Sequence, residues 1–197
     1  MNRHVEFADR TCRVRSAVAG DAADIARLFL ISSDGLAAYI WERDRAPGTE
    51  LLTHGAERYA RRNTAFSFEN CTVATSGDRV IAMLHAFEMP FSDEVESDPV
   101  LRPYAELEDP GSLYISGIAV DEDRRGTGIG AALLDTAERI AASRGLDRIS
   151  LICFEANHGA LRLYRKRGYE EIGRRPLVPH PSLHYTEGDA LLLRLGL

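Results

Sequence analysis

A chain of 197 residues, 45% hydrophobic and 27% charged, fits one globular domain with a core, and no compositional break divides it. Its net charge of -6 speaks against general affinity for nucleic acid or an anionic membrane, since both need a basic surface to displace counterions. Cys12, Cys71 and Cys153 form no CxxC pair, residues 1–10 hold no apolar signal core, and apolar runs such as 80–84 are far too short to span a bilayer. A cytoplasmic protein with reduced thiols is the expectation.

Residues 13–17 read as a short strand. Asp21 stands where an N-cap would, and Ile25, Leu28 and Phe29 give the spacing of an amphipathic helix behind it. Two more helical stretches, 36–43 and 50–61, are separated by Pro47 and Gly48. Residues 71–75 and 79–88 predict a hairpin closed at Ser76, Gly77 and Asp78.

An irregular stretch, 89–111, follows. Between Ser92 and Gly111 it carries seven acids against Arg102 alone, which would attract a cationic amine or leave a solvated insertion. Val100, Leu101, Tyr104 and Leu107 are its candidate anchors, to the body or to a second subunit. Residues 113–120 read as a buried strand with a bulge at Gly117, and 129–143 as a helix with Ile129, Leu133, Ala137 and Ile140 on one stripe.

A strand over 149–154, a helix over 159–167 ending at Gly168, and strands over 169–173 and 190–195 complete the chain. Helices and strands in this order predict an α/β fold, a mixed central sheet with antiparallel N-terminal strands and parallel pairing in the middle. Seven of the eight prolines fall in 90–110 and 176–181. His180 and His184 in the second stretch have the spacing of helical metal ligands, but Pro181 opposes a helix, so no metal is expected.

The chemistry is most legible in Ile118-Ala119-Val120-Asp-Glu-Asp-Arg-Arg125-Gly126-Thr127-Gly128-Ile129-Gly130-Ala131, where a strand enters a glycine turn that opens onto a helix. Glycines allow close backbone approach, and the N–H groups at a helix start favour an anion such as a diphosphate. A Walker A loop needs GK[ST], and a Rossmann turn needs glycines directly after the strand; neither matches. Downstream, Asn157, Ala160, Leu161 and Tyr164 share one helical face. By themselves, Asn157 also reads as a helix cap and Tyr164 as a core aromatic.

Together these segments resemble the GNAT superfamily of N-acetyltransferases. Arg125, Gly128 and Gly130 match its Arg/Gln-x-x-Gly-x-Gly/Ala motif, and Asn157 through Tyr169 match its N-x-x-A-x-x-x-Y-x-x-x-G-[FY] segment. The resemblance covers about 113–173. It implies acetyl-CoA as co-substrate, held by Ile118, Ala119, Val120, Arg125, Gly126, Thr127, Gly128, Ile129, Gly130, Ala131 and Asn157. It also implies an oxyanion donor at the Ile118 N–H, pantetheine pairing at Val120, and Tyr164 as the acid at the departing thiolate.

The general base is open: Glu155 and Glu88 are candidates, as is His85, and each also reads as an ordinary strand-end carboxylate or core histidine. Ser116 and Tyr114 could hold a relay water. A small-molecule primary amine is the expected acceptor, with a protein N-terminus or lysine, or a non-catalytic acyl-CoA-binding role, as alternatives. Homodimers are common in that class.

Overall fold

The computed structural model of the protein describes residues 12–197; the N-terminal stretch read above for a signal core lies outside them. Seven strands, β1 (Cys12–Ser16), β2 (Cys71–Ser76), β3 (Arg79–Glu88), β4 (Leu113–Val120), β5 (Arg148–Phe154), β6 (Glu170–Pro176) and β7 (Asp189–Gly196), form one mixed sheet in the order β1-β2-β3-β4-β5-β7-β6. The helices are α1 (Ala22–Ser32), α2 (Leu36–Asp44), α3 (Leu51–Ala60), α4 (Arg102–Ala105), α5 (Ile129–Ser143) and α6 (His158–Lys166). The described residues group into two compact units. One runs to Ala86 and adds Gly117–Thr136; the other joins Phe87–Ser116 to Ala137–Leu197.

In the first unit β1, β2 and β3 form an antiparallel meander, and the β2–β3 turn closes on Gly77 and Asp78 with Ser76 opposite Arg79. Gly77 has φ 58°, a conformation that a two-residue hairpin turn needs and glycine adopts at little cost. The core gathers Ile25, Leu28 and Phe29 of α1 with Trp41, Tyr59, Val73 and Met83. Two glycines admit this packing. A Cβ on Gly117 would sit 2.8 Å from the Phe29 ring and from Ser32 Oγ, so α1 can lie against β4 only there. This close approach is what requires a glycine at position 117.

Asp21 departs from its expected role. It occupies the N-cap position of α1, but its carboxylate makes no cap bond. It accepts two hydrogen bonds from Arg15, at 2.7 and 2.9 Å, and one from the Val18 N–H at 2.8 Å. An arginine fork offers a charged partner that a helix amide cannot match, and it holds the Asp21 carboxyl below its ordinary value.

In the second unit β7 lies antiparallel between β5 and β6, while the parallel register of β4 with β5 covers Leu113–Ile115 against Ile149–Leu151. The acidic stretch is less irregular than its sequence suggests. It contains the one-turn α4, and Val100 and Leu107 are buried. Asp109, also buried, accepts from Arg194 at 2.8 and 2.9 Å, and Glu106 accepts from Arg175 at 2.7 Å. Tyr104 and Tyr185 pack on Phe154, so both proline-rich stretches are anchored at the end of β5. Cys12, Cys71 and Cys153 are buried thiols, and desolvation raises that of Cys71 well above its ordinary value.

Gly55 in α3 gives a direct test of the packing. Its Cβ would fall within 2.9 Å of three carbons of the Trp41 ring. Alanine improves helix propensity by about 1 kcal/mol, but overpacking costs about 1–3 kcal/mol and should prevail. Gly55→Ala is therefore expected to lower the denaturation midpoint in urea; a stabilised variant would mean that Trp41 repacks freely.

Candidate active site

β4 ends at Val120, and a single 3-10 turn over Glu122–Arg124 carries the chain to the glycines. Gly126 and Gly128 have φ 76° and 90°, the left-handed region where a side chain is strained. A Cβ on either would meet nothing within 4 Å, so the outer face of the turn is open. Thr127 Oγ1 donates to the Arg124 carbonyl at 2.6 Å and ties the turn to itself. The Ala132 N–H then bonds the Gly128 carbonyl at 3.1 Å as the helical ladder begins. The amides of Ile129, Gly130 and Ala131 precede it and have no helical acceptor behind them, so they favour an anion.

The strand feeding this turn is hydrogen-bonded to β3, and the pairing extends just past its end. The Asp121 N–H donates to the Ile81 carbonyl at 2.8 Å, toward β3. In an extended strand the peptide groups alternate sides, so those of Val120 and Ile118 point the other way. The register with β5 ends at Ile115, before either residue. The Val120 carbonyl meets Arg125 Nε at 3.4 Å.

The second unit holds the other motif. Asn157 caps α6, its Oδ1 accepting from the Ala160 N–H at 3.2 Å, so the capping role is real. Leu161 and Tyr164 lie on the buried side of α6, and Gly168 ends the helix with φ 85°. The Tyr164 ring packs against Tyr169 at 5.6 Å.

Residues 36–169, more than half of the chain, match the acetyltransferase (GNAT) family. The chain belongs to that family. It is similar to mycothiol acetyltransferase of Thermobispora bispora, 44% identical over 59 residues that make up 30% of this chain and 19% of that protein. A putative phosphinothricin acetyltransferase, YwnH of Bacillus subtilis, is 39% identical over 59 residues, 30% of this chain and 36% of that one. The matches thus span about a fifth to a third of the curated relatives' length. An N-acetyltransferase structure from Staphylococcus aureus Mu50 aligns with a TM-score of 0.64 at 20% identity, over 92% of this chain and 99% of that one, a likeness of fold.

The candidate bases of this GNAT chain have different surroundings. Glu155 follows β5, half-exposed, and shares Arg174 with Glu171 and Asp189 at 3.4, 2.6 and 3.0 Å. Glu88 is exposed at the end of β3. His85 is fully buried, its Nε2 lies 2.9 Å from the Ala65 carbonyl, and Phe29, Tyr59 and Phe66 surround its ring. That makes it a core histidine of the first unit. Tyr114 packs against Phe87, and desolvation raises its phenol, which keeps it protonated at neutral pH. In the 176–188 stretch His180 Nδ1 accepts from the Ser182 N–H at 3.2 Å, and no helix forms there. Among the described residues no group of three or more His, Cys, Asp or Glu side chains could hold a metal ion.

Burial lowers the His85 pKa from 6.5 to about 4. The folded imidazole therefore stays neutral while the unfolded one takes a proton as pH falls below 6.5. Stability present above that pH is lost toward pH 4, by at most about 3 kcal/mol. Denaturation between pH 7 and 4 should reveal this slope. His85→Gln, which can still donate to Ala65, should flatten it; an unchanged slope would assign it to other groups.

Proposed function

We propose that this acetyltransferase moves an acetyl group from acetyl-CoA to the primary amine of a small molecule, by direct attack in a ternary complex, with the whole chain serving as one catalytic domain. The observation that carries the reading is the glycine turn. Its amides at Ile129, Gly130 and Ala131 open α5, a Cβ on Gly126 or Gly128 would meet nothing within 4 Å, and Arg125 adds charge to the same segment. A diphosphate fits that arrangement, because its charge adds attraction by the helix dipole to the hydrogen bonds that any acceptor could accept there. Acetyl-CoA, when bound, supplies an already activated thioester.

The chain's own groups do the rest. Residues 126–131 hold the diphosphate, and the outward peptide groups of Ile118 and Val120 bind and orient the arm, with the Ile118 N–H stabilising charge on the carbonyl oxygen. Tyr164 gives its proton to the leaving sulfur. Asn157 shapes the start of the helix that carries Tyr164. The names of two relatives, a mycothiol acetyltransferase and a putative phosphinothricin acetyltransferase, refer to small molecules, which supports that acceptor class here. The exposed Asp93, Glu94 and Glu108 would favour a cationic amine.

A second reading is an acyl-CoA-binding module without turnover. It draws on the core position of His85 and on the ion pair that already engages Glu155.

Calorimetry should detect acetyl-CoA binding, and a panel of amines should release free thiol with at least one member. Binding without release would favour the module. Tyr164→Phe should lower turnover about 10²-fold with little change in acetyl-CoA affinity. Unchanged turnover would remove Tyr164 from the chemistry.

A further inference from the structure

One buried carboxylate stands beside the proposed coenzyme site without belonging to the matched motif. Asp121 directly follows β4 and is 4% exposed. Its Oδ1 accepts from Arg27 Nη1 of α1 at 2.7 Å, and its Oδ2 from Arg79 Nη2 of β3 at 2.6 Å. Arg27 also donates to the Val80 carbonyl at 3.2 Å. The Asp121 backbone is engaged as well, its N–H with the Ile81 carbonyl at 2.8 Å and its carbonyl with the Arg124 N–H at 2.9 Å. All four attachments of this residue are thus made within the first unit.

We infer that Asp121, gripped by Arg27 and Arg79, is a positioning residue that sets the direction in which the chain leaves β4 and so fixes the amides that bind the coenzyme A diphosphate. This inference rests on the acetyl-CoA reading above. Between Asp121 and Gly126 lies a single hydrogen-bonded turn, in which the Arg124 and Arg125 N–H groups bond back to Asp121 and Glu122 at 2.9 and 3.3 Å. A short 3-10 segment transmits a rotation at its base to its tip, because its peptide bonds are planar and its ladder is closed. The glycines beyond it have no side chains with which to hold a direction of their own.

Charge supports the same assignment. A lone carboxylate at this place would repel an approaching diphosphate. Two guanidiniums compensate the buried acid, and each also reaches a second carboxylate, Arg27 to Asp24 at 3.4 Å and Arg79 to Asp123 at 3.7 Å, so the acid anchors the strand end as part of a paired network rather than as a bare charge. A buried acid forced to recruit two arginines costs desolvation, and a neutral strand end would avoid that cost. What the trio adds is a fixed geometry among α1, β3 and the exit of β4.

The test is acetyl-CoA affinity by calorimetry on Asp121→Asn, with Arg79→Met as a second variant that removes one partner from a half-exposed position. Trp41→Phe, in the same unit but away from the trio, serves as a control of comparable lost stability. Asp121→Asn should weaken binding about tenfold and Arg79→Met about threefold, with the double variant no worse than Asp121→Asn alone. KM for the acetyl donor should rise while kcat stays within about twofold. Trp41→Phe should bind like the parent.

Folded Asp121→Asn and Arg79→Met proteins with parental affinity would overturn the inference, and so would an equal loss in Trp41→Phe. If Asp121→Asn does not fold, Arg79→Met decides alone. Absence of acetyl-CoA binding by the parent protein is a different result, and it would remove the functional reading itself.

Discussion

A helix cannot satisfy its own first amides, and in this protein that constraint is turned outward at the place where β4 becomes α5. Three N–H groups have no helical acceptor, two glycines in the left-handed region keep the approach clear, and Ile129 on the inner side is buried as part of the core. The same residues therefore do two jobs. The apolar side of α5 holds the segment in the fold, and the polar end is left for a ligand.

The first unit supports that turn from below. Phe29 reaches β4 because Gly117 has no side chain, and the rings of Trp41, Tyr59, Phe66 and His85 fill the space around Phe29. A neutral histidine in such a setting behaves as one more ring with a single polar contact. The second unit is organised around β5, where Phe154 receives Tyr104 from one long connection and Tyr185 from the other. Both proline-rich connections are thereby tied to the sheet.

The sequence was most readable where the signal is local. The hairpin turn at Gly77, the span of β4, the span of α5 and the stop of α6 at Gly168 all rest on neighbouring residues, and the structure agrees with each within a residue or two. It was least readable where partners come from far along the chain. Asp21 bonds to Arg15 across a strand end, which no capping rule anticipates. The one-turn α4, with Pro103 in its first turn, is too short to have a period. The pairing of Asp121, a residue between the strand and the glycines, was hidden because Arg27 and Arg79 lie 94 and 42 positions away. An acid placed directly after an apolar strand was the available hint. The choice among candidate bases could not be read at all, since it depends on surroundings that spacing does not encode.

The seclusion of Cys12, Cys71 and Cys153 has a practical side. A reagent that captures sulfhydryls cannot reach a side chain packed inside the fold, and a desolvated thiol yields little of the anion that reacts. Under the proposed reaction, colour developing from intact protein would therefore report coenzyme thiol rather than protein thiol. Labelling of the polypeptide itself, followed over hours, would instead clock how often its interior opens.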